Sequence, residues 1–181
     1  MQSASASFIR PEEFWRNLGL RAGQVVAHLG CGAGFYILPA AKIVGSTGQV
    51  VGVDILSDML SEVDSKAKRA GLGSIVKTIR GNLENERGST LPEAMADWVL
   101  VANVLHQSDP IKVLTEAARI VRPNGSIVVI DWDTAATPFG PPNEHRLSEV
   151  EVQHVLSQLK LVIKHRFSPS PYHYGLVVAR A

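Results

Sequence analysis

The chain is poor in cysteine, lacks any long apolar run and carries no excess of charge of one sign. Cys31 is the only cysteine among 181 residues. No internal disulfide can form, so a reducing compartment, the cytoplasm, is the expected location. No stretch approaches the roughly 20 apolar residues of a membrane helix, and the first residues lack the basic-then-apolar order of a secretion signal. With 18 Lys plus Arg against 17 Asp plus Glu, the net charge is +1. The basic residues are scattered, which favours neither nucleic acid nor an anionic membrane as partner. Their densest group, Lys66, Lys68 and Arg69, falls where a helix ends and suits its dipole. The six histidines form no i, i+4 pair and no Cys/His cluster, so no metal site is expected. What remains is an ordinary composition, 45% hydrophobic and 19% charged. It suits one domain over residues 1–181, with 1–10 as a flexible tail. Nothing in the sequence bears on oligomeric state.

What is present is an alternation. Strand-like apolar runs fall near 24–29, 49–53, 75–79, 97–102, 126–131, 161–167 and 172–179. Helical spacing separates most of them. Leu60, Val63, Ala67 and Ala70 follow one such pattern, with Ser57 as its expected N-cap and Gly71 beyond its end. Ile111, Leu114, Ala118 and Val121 follow another, closed by Pro123. Val152, Val155, Leu156 and Leu159 form a third behind Ser148 and Glu151, spaced as a capping box. A short amphipathic helix over 11–18 would pack Phe14 and Trp15 onto the domain. Helices between strands require crossovers, hence a mostly parallel sheet covered on both faces. Only Ser168-Pro169-Ser170-Pro171 separates the last two strands, so they should form an antiparallel hairpin. The spacing therefore predicts an α/β, doubly wound, seven-stranded sheet with one reversed strand at or near an edge. Residues 80–93 read as a polar loop. Residues 133–145, with Pro138, Gly140, Pro141 and Pro142, read as a loop of binding or lid type.

In an open α/β sheet, ligands bind beyond the carboxyl ends of the strands. The polar residues at those ends are His28 with the turn Gly30-Cys31-Gly32-Ala33-Gly34, then Asp54, Asn82, Asn103 with His106, and Asp131. Glycines at such a turn let the main chain approach a ligand, and a carboxylate twenty residues on can accept from a ribose diol. A dinucleotide site requires Gly-x-Gly-x-x-Gly, but its third position here is Phe35.

The Gly30-x-Gly32-x-Gly34 spacing instead resembles the first motif of the class I S-adenosylmethionine-dependent methyltransferases. Val51-Gly52-Val53-Asp54, Gly81-Asn82-Leu83-Glu84, the segment 96–106 and the segment 117–126 are similar to further motifs of that family. So is the terminal hairpin. The likeness leans toward small ubiquinone/menaquinone-biosynthesis-type members. It implies a Rossmann-like fold, S-adenosyl-L-methionine as cofactor, and methyl transfer to a small-molecule acceptor by in-line displacement. It also implies roles for single residues. Gly30, Gly32 and Gly34, with Cys31 as a small spacer, would pass close to the methionine portion. Asp54 would hold the ribose and Ile55 would lie against adenine. Asn82 would accept from the adenine amino group with Leu83 beside it, and Asn103 would give main-chain contacts near the methionine end.

Two positions depart from the family. His28 stands where an acid usually organises contacts to the cofactor ammonium, and Asn82 stands where Asp is common. Imidazolium would repel the ammonium, so affinity is expected to fall below about pH 6.5, and His28→Asp is expected to strengthen binding. If the acceptor loses a proton, His106 and Asp131 are the first candidates for a base. His145, Arg146, Tyr172 and His173 would reach the same mouth from the loop and hairpin. The absence of cysteine clusters argues against metalloid methylation by thiol capture. Two alternatives stay open: a non-catalytic methyltransferase-fold partner subunit, kept alive by His28 and Asn82, and an NAD-dependent dehydrogenase.

Overall fold

The computed structural model describes residues 10–135, 137 and 140–181. Most of the expected tail thus lies outside the described residues. The chain runs α1 (Pro11–Asn17), β1 (Val25–Leu29), α2 (Ile37–Val44), β2 (Gln49–Asp54), α3 (Ser57–Arg69), β3 (Val76–Arg80), β4 (Ala96–Ala102), α4 (Pro110–Ile120), β5 (Val121–Trp132), α5 (Glu149–Gln158), β6 (Leu161–Ser170) and β7 (His173–Arg180). The seven strands lie in the order β3-β2-β1-β4-β5-β7-β6. β1 to β5 pair in parallel, and β7 runs antiparallel to both β5 and β6. This is the α/β, mostly parallel sheet with a C-terminal hairpin that the spacing predicts. The reversed strand sits one place in from the edge. Strand order turns back between β1 and β4, which makes their carboxyl ends the crevice of the fold.

Alternate residues of the strands feed two cores. Val26, Val50, Leu100, Val128 and Ile130 pack with α1, α2 and α3 on one face. Ala27, Val51, Val99, Ile127 and Val129 pack with α4 and α5 on the other. Burial on both faces explains why these strands read as unbroken apolar runs. Helix α1 is closed onto the first core by Phe14 and the fully buried Trp15, whose indole N–H donates to the Tyr36 carbonyl at 2.9 Å.

Two helix boundaries differ from expectation. In α3 the N-cap is Leu56, extended at φ −90° and ψ 110°, and Ser57 is already helical without a capping bond. The Asp54 carboxylate accepts from the Leu56 N–H at 3.0 Å and so turns the chain before Ser57 can act. Helix α4 ends at Ile120 and the chain extends at once into β5. Pro123 lies inside β5 where the register to β4 shifts between Ala96 and Trp98, a position that does not need its missing N–H. The Ser148–Glu151 capping box forms as expected. The polar loop after β3 is tied to α4 by buried Glu116, which accepts from the Ser89 N–H at 3.1 Å, from the Ser89 hydroxyl, and from Arg119 at 2.7 and 2.8 Å. Burial pushes this carboxyl up, but the Arg119 and Ser89 hydrogen bonds outweigh it and hold it below its usual range.

Candidate functional site

At the carboxyl end of β1 the chain turns over the end of β2. The N–H groups of Gly30 and Cys31 both donate to the Val53 carbonyl, at 2.9 and 3.0 Å. Asp54 then grips the turn: one carboxylate oxygen accepts from the Gly32 N–H at 2.8 Å and the other from the Leu56 N–H at 3.0 Å. A carboxylate offers about four lone-pair sites, so acceptor capacity is left over for a ligand. Lys66 in the last turn of α3 reaches back to the Ala33 carbonyl at 3.0 Å and pins the same loop. Gly30 and Gly32 both have positive φ, +70° and +49°. A Cβ on Gly30 would lie 2.7 Å from Val104, whereas one on Gly32 would meet no atom within 4 Å. The space beside Gly32 belongs to a cavity of about 1070 Å³.

That cavity gathers His28, Gly30, Cys31, Gly32, Asp54, Ile55, Asn82, Leu83 and Asn103 onto one wall. Of the cofactor residues expected from sequence, only Gly34 stays outside. Its would-be Cβ faces Val63 at 2.8 Å, so it packs the loop on α3. Asn103 has φ +54°, which Asn tolerates better than most residues, and its side-chain oxygen is buried without a partner among the described residues. In Asn82 the side-chain oxygen already accepts from the Glu84 N–H at 3.0 Å, which leaves it one acceptor site. Cys31 is buried, and burial followed by the charge of Asp54 pushes its thiol up to about 12, so it is not a nucleophile.

His28 is 3% exposed, and neither ring nitrogen has a hydrogen-bond partner among the described residues. Burial lowers its pKa to about 3. This corrects the expected loss of affinity below pH 6.5, because His28 stays neutral there. A neutral imidazole has a lone pair to accept with, so an ammonium ligand is not repelled.

The two residues expected as bases are placed elsewhere. Asp131 is fully buried. Its oxygens accept from the Leu105 N–H at 3.1 Å and the Trp132 N–H at 2.8 Å, and meet His106 Nδ1 at 3.0 Å. Neither Asp131 nor His106 forms part of the cavity wall. The pair braces the turn after β4 against β5. The wall there is built instead from Trp132, Ser170, Tyr172 and His173, with Phe35 and Tyr36 from the loop before α2. Tyr36 and Ser170 were not singled out in the sequence. Nor was Trp132, whereas Tyr172 and His173 are expected at this mouth. Arg146 lies over the Trp132 ring, 5.4 Å from its centre. Phe35, Ile55 and Leu56 are exposed apolar side chains that also line the cavity.

Residues 27–129, more than half of the chain, match the methyltransferase domain family. The chain belongs to the class I S-adenosylmethionine-dependent methyltransferases. A methyltransferase of that cofactor class from Aquifex aeolicus is 28% identical and superposes with a TM-score of 0.85, covering 94% of this chain and 89% of that one. A ubiquinone/menaquinone biosynthesis C-methyltransferase from Marinomonas sp. is 29% identical over 75% of this chain and 51% of its own length. A demethylmenaquinone methyltransferase from Geobacillus kaustophilus is 30% identical over 71% of this chain and 53% of its own length. The chain thus spans about half the length of these two relatives. Among the described residues, no helix is long and apolar enough to cross a membrane.

The methyltransferase wall fits S-adenosylmethionine on two counts from its own geometry. Buried His28 and Asn103 atoms lack partners among the described residues, and the space at Gly32 is one a Cβ would occupy. Gly32→Ala should therefore weaken S-adenosylhomocysteine binding about tenfold while costing only about 1 kcal/mol of stability, the penalty of a left-handed alanine. Gly30→Ala should lose more stability, because its Cβ would press on Val104. Calorimetric titration beside urea unfolding checks both, and equal binding by Gly32→Ala would refute the assignment of that space.

Proposed function

We propose that the protein transfers a methyl group from S-adenosylmethionine to a small, flat, largely apolar acceptor. The observation that carries this reading is the length of one continuous cavity along the sheet. Its polar fixtures run from Asp54 at the end of β2, past the glycine loop and Asn103, to His173 at the start of β7. Four strand spacings separate β2 from β7, roughly 19 Å, which is room for two ligands side by side. When bound, S-adenosylmethionine supplies a methyl group already activated on a sulfonium. The chain's own part is to bind, orient and exclude water. Asp54 would hold the ribose hydroxyls, Ile55 and Leu83 would flank adenine, and the remaining acceptor site of Asn82 would take its amino group. Neutral His28 would accept from the ammonium. The apolar surfaces of Phe35, Tyr36 and Trp132 favour a ring-like acceptor over a charged one. The two bacterial relatives are named for quinone substrates, which supports a hydroquinone ring as the acceptor to try first.

Calorimetric titration with S-adenosylmethionine, S-adenosylhomocysteine and NAD tests the cofactor half. Saturable micromolar binding of the first two and none of NAD supports the reading. Silence from folded, ligand-free protein would sink it and leave a non-catalytic partner subunit. Transfer of a labelled methyl group to reduced demethylmenaquinone then tests the acceptor.

A further inference from the structure

His173 opens β7, faces Trp132 of β5 in register, and lies in the cavity wall. Its ring sits 4.2 Å from the Trp132 ring, tilted by 38°. Its Nδ1 is 2.8 Å from the Ser170 hydroxyl, and its Nε2 is buried with no partner among the described residues. The Ser170 oxygen also accepts the Tyr172 N–H at 3.1 Å. A serine oxygen has one proton to give and two lone pairs, so with the Tyr172 N–H on one of them it still has both a proton to offer Nδ1 and a lone pair to accept from it. Where Ser170 donates, Nδ1 accepts and Nε2 carries the proton. Burial lowers the histidine pKa, the charge of Asp131 opposes it and that of Arg146 adds to it, with a net shift downward. In that tautomer Nε2–H is a buried donor beside an aromatic face, a pairing that suits an oxygen on a flat ring.

We propose that His173 is the acceptor-binding residue of this methyltransferase, its Nε2–H donating to an oxygen of a flat aromatic acceptor that packs along Trp132, with Ser170 setting the tautomer. This rests on the methyltransferase reading and adds to it the group that fixes the acceptor's orientation, hence which acceptor atom meets the methyl group. A buried donor left without its hydrogen bond carries the desolvation cost of the group uncompensated. A ring lacking the oxygen should therefore bind about tenfold less well.

The test uses protein saturated with S-adenosylhomocysteine and two probes, 1-naphthol and naphthalene. Wild type should bind 1-naphthol about tenfold more tightly than naphthalene. His173→Phe should bind both alike, with S-adenosylhomocysteine affinity unchanged. Nitrogen-15 histidine spectra of the wild type supply a readout that needs no variant. They should show a protonated Nε2 that shifts with 1-naphthol and not with naphthalene, and a mixed tautomer in Ser170→Ala. No preference for 1-naphthol in the wild type, no binding of either probe, a proton on Nδ1, or a preference that survives in His173→Phe would each overturn the proposal. Failure to bind S-adenosylhomocysteine at the outset would instead bring down the methyltransferase reading itself, and this proposal with it.

Discussion

Asp54→Ala is expected to weaken S-adenosylhomocysteine binding at least about 100-fold. The proposed function asks the carboxylate to do two jobs with the same two oxygens. It fixes the main chain by accepting from Gly32 and Leu56, and as a residue of the cavity lining it would offer its remaining lone pairs to a ribose diol. Hydrogen bonds to a charged group are worth about 1.5–3 kcal/mol each, so two lost diol contacts alone remove about 3 kcal/mol or more. Alanine also frees the Gly32 amide, loosening the loop that must meet the methionine end. Asp54→Asn keeps one good acceptor and should lose only about tenfold. Calorimetry on folded variants decides the matter. Asp54→Ala binding within threefold of wild type would remove Asp54 from the site.

The second large effect concerns acid stability. The His28 pKa falls from 6.5 in the unfolded chain to about 3 in the folded one, so the unfolded state binds the proton more readily. The stability that neutral burial carries is complete above pH 6.5 and drains as pH falls from there toward 3, at about 1.4 kcal/mol per pH unit. From pH 7 to pH 5, His28 should account for a loss of about 2 kcal/mol. His28→Gln cannot take up that proton, so its stability should fall by about 2 kcal/mol less over the same range. Urea unfolding of both proteins at pH 7, 6 and 5 measures the difference. Parallel curves would mean that His28 is already partnered or hydrated in the folded state. Cofactor binding should show no His28-dependent step between pH 5 and 8.

Local signals made most of the architecture legible, and they pointed to most of the residues that line one side of the cavity. The apolar runs gave the strands because both faces of each central strand are buried, and positions close in the chain place Gly30, Gly32 and Asp54 together. Asp131 is at a strand end, as expected, but being at a strand end is not the same as facing the crevice. It shares the side of β5 with Ile127 and Val129, the side packed under Leu105 and α4, and alternation along the strand turns it inward. Ser57 looked like a cap because the Asp54 bond to Leu56 is not visible in a sequence. His173 and Ser170 gain their roles from pairing of β7 with both β5 and β6, a long-range event that no local pattern reports. The protonation of His28 depends on depth of burial, which residue type alone does not give.

The place of β7 between β5 and β6 has a bearing on how the molecule is made. Strand β6 pairs with β7, so as the chain leaves the ribosome β6 emerges before the neighbour that must hold it. Until residues 173–180 follow, β5 has a bare edge and β6 has nothing to join, while β1 to β5 can already associate. Exposed edges of this kind invite pairing with other chains. The interval closes only when the hairpin slots in. The same event brings His173 to Trp132, so a nascent chain can hold the glycine loop and Asp54 in place before it has the far end of its cavity.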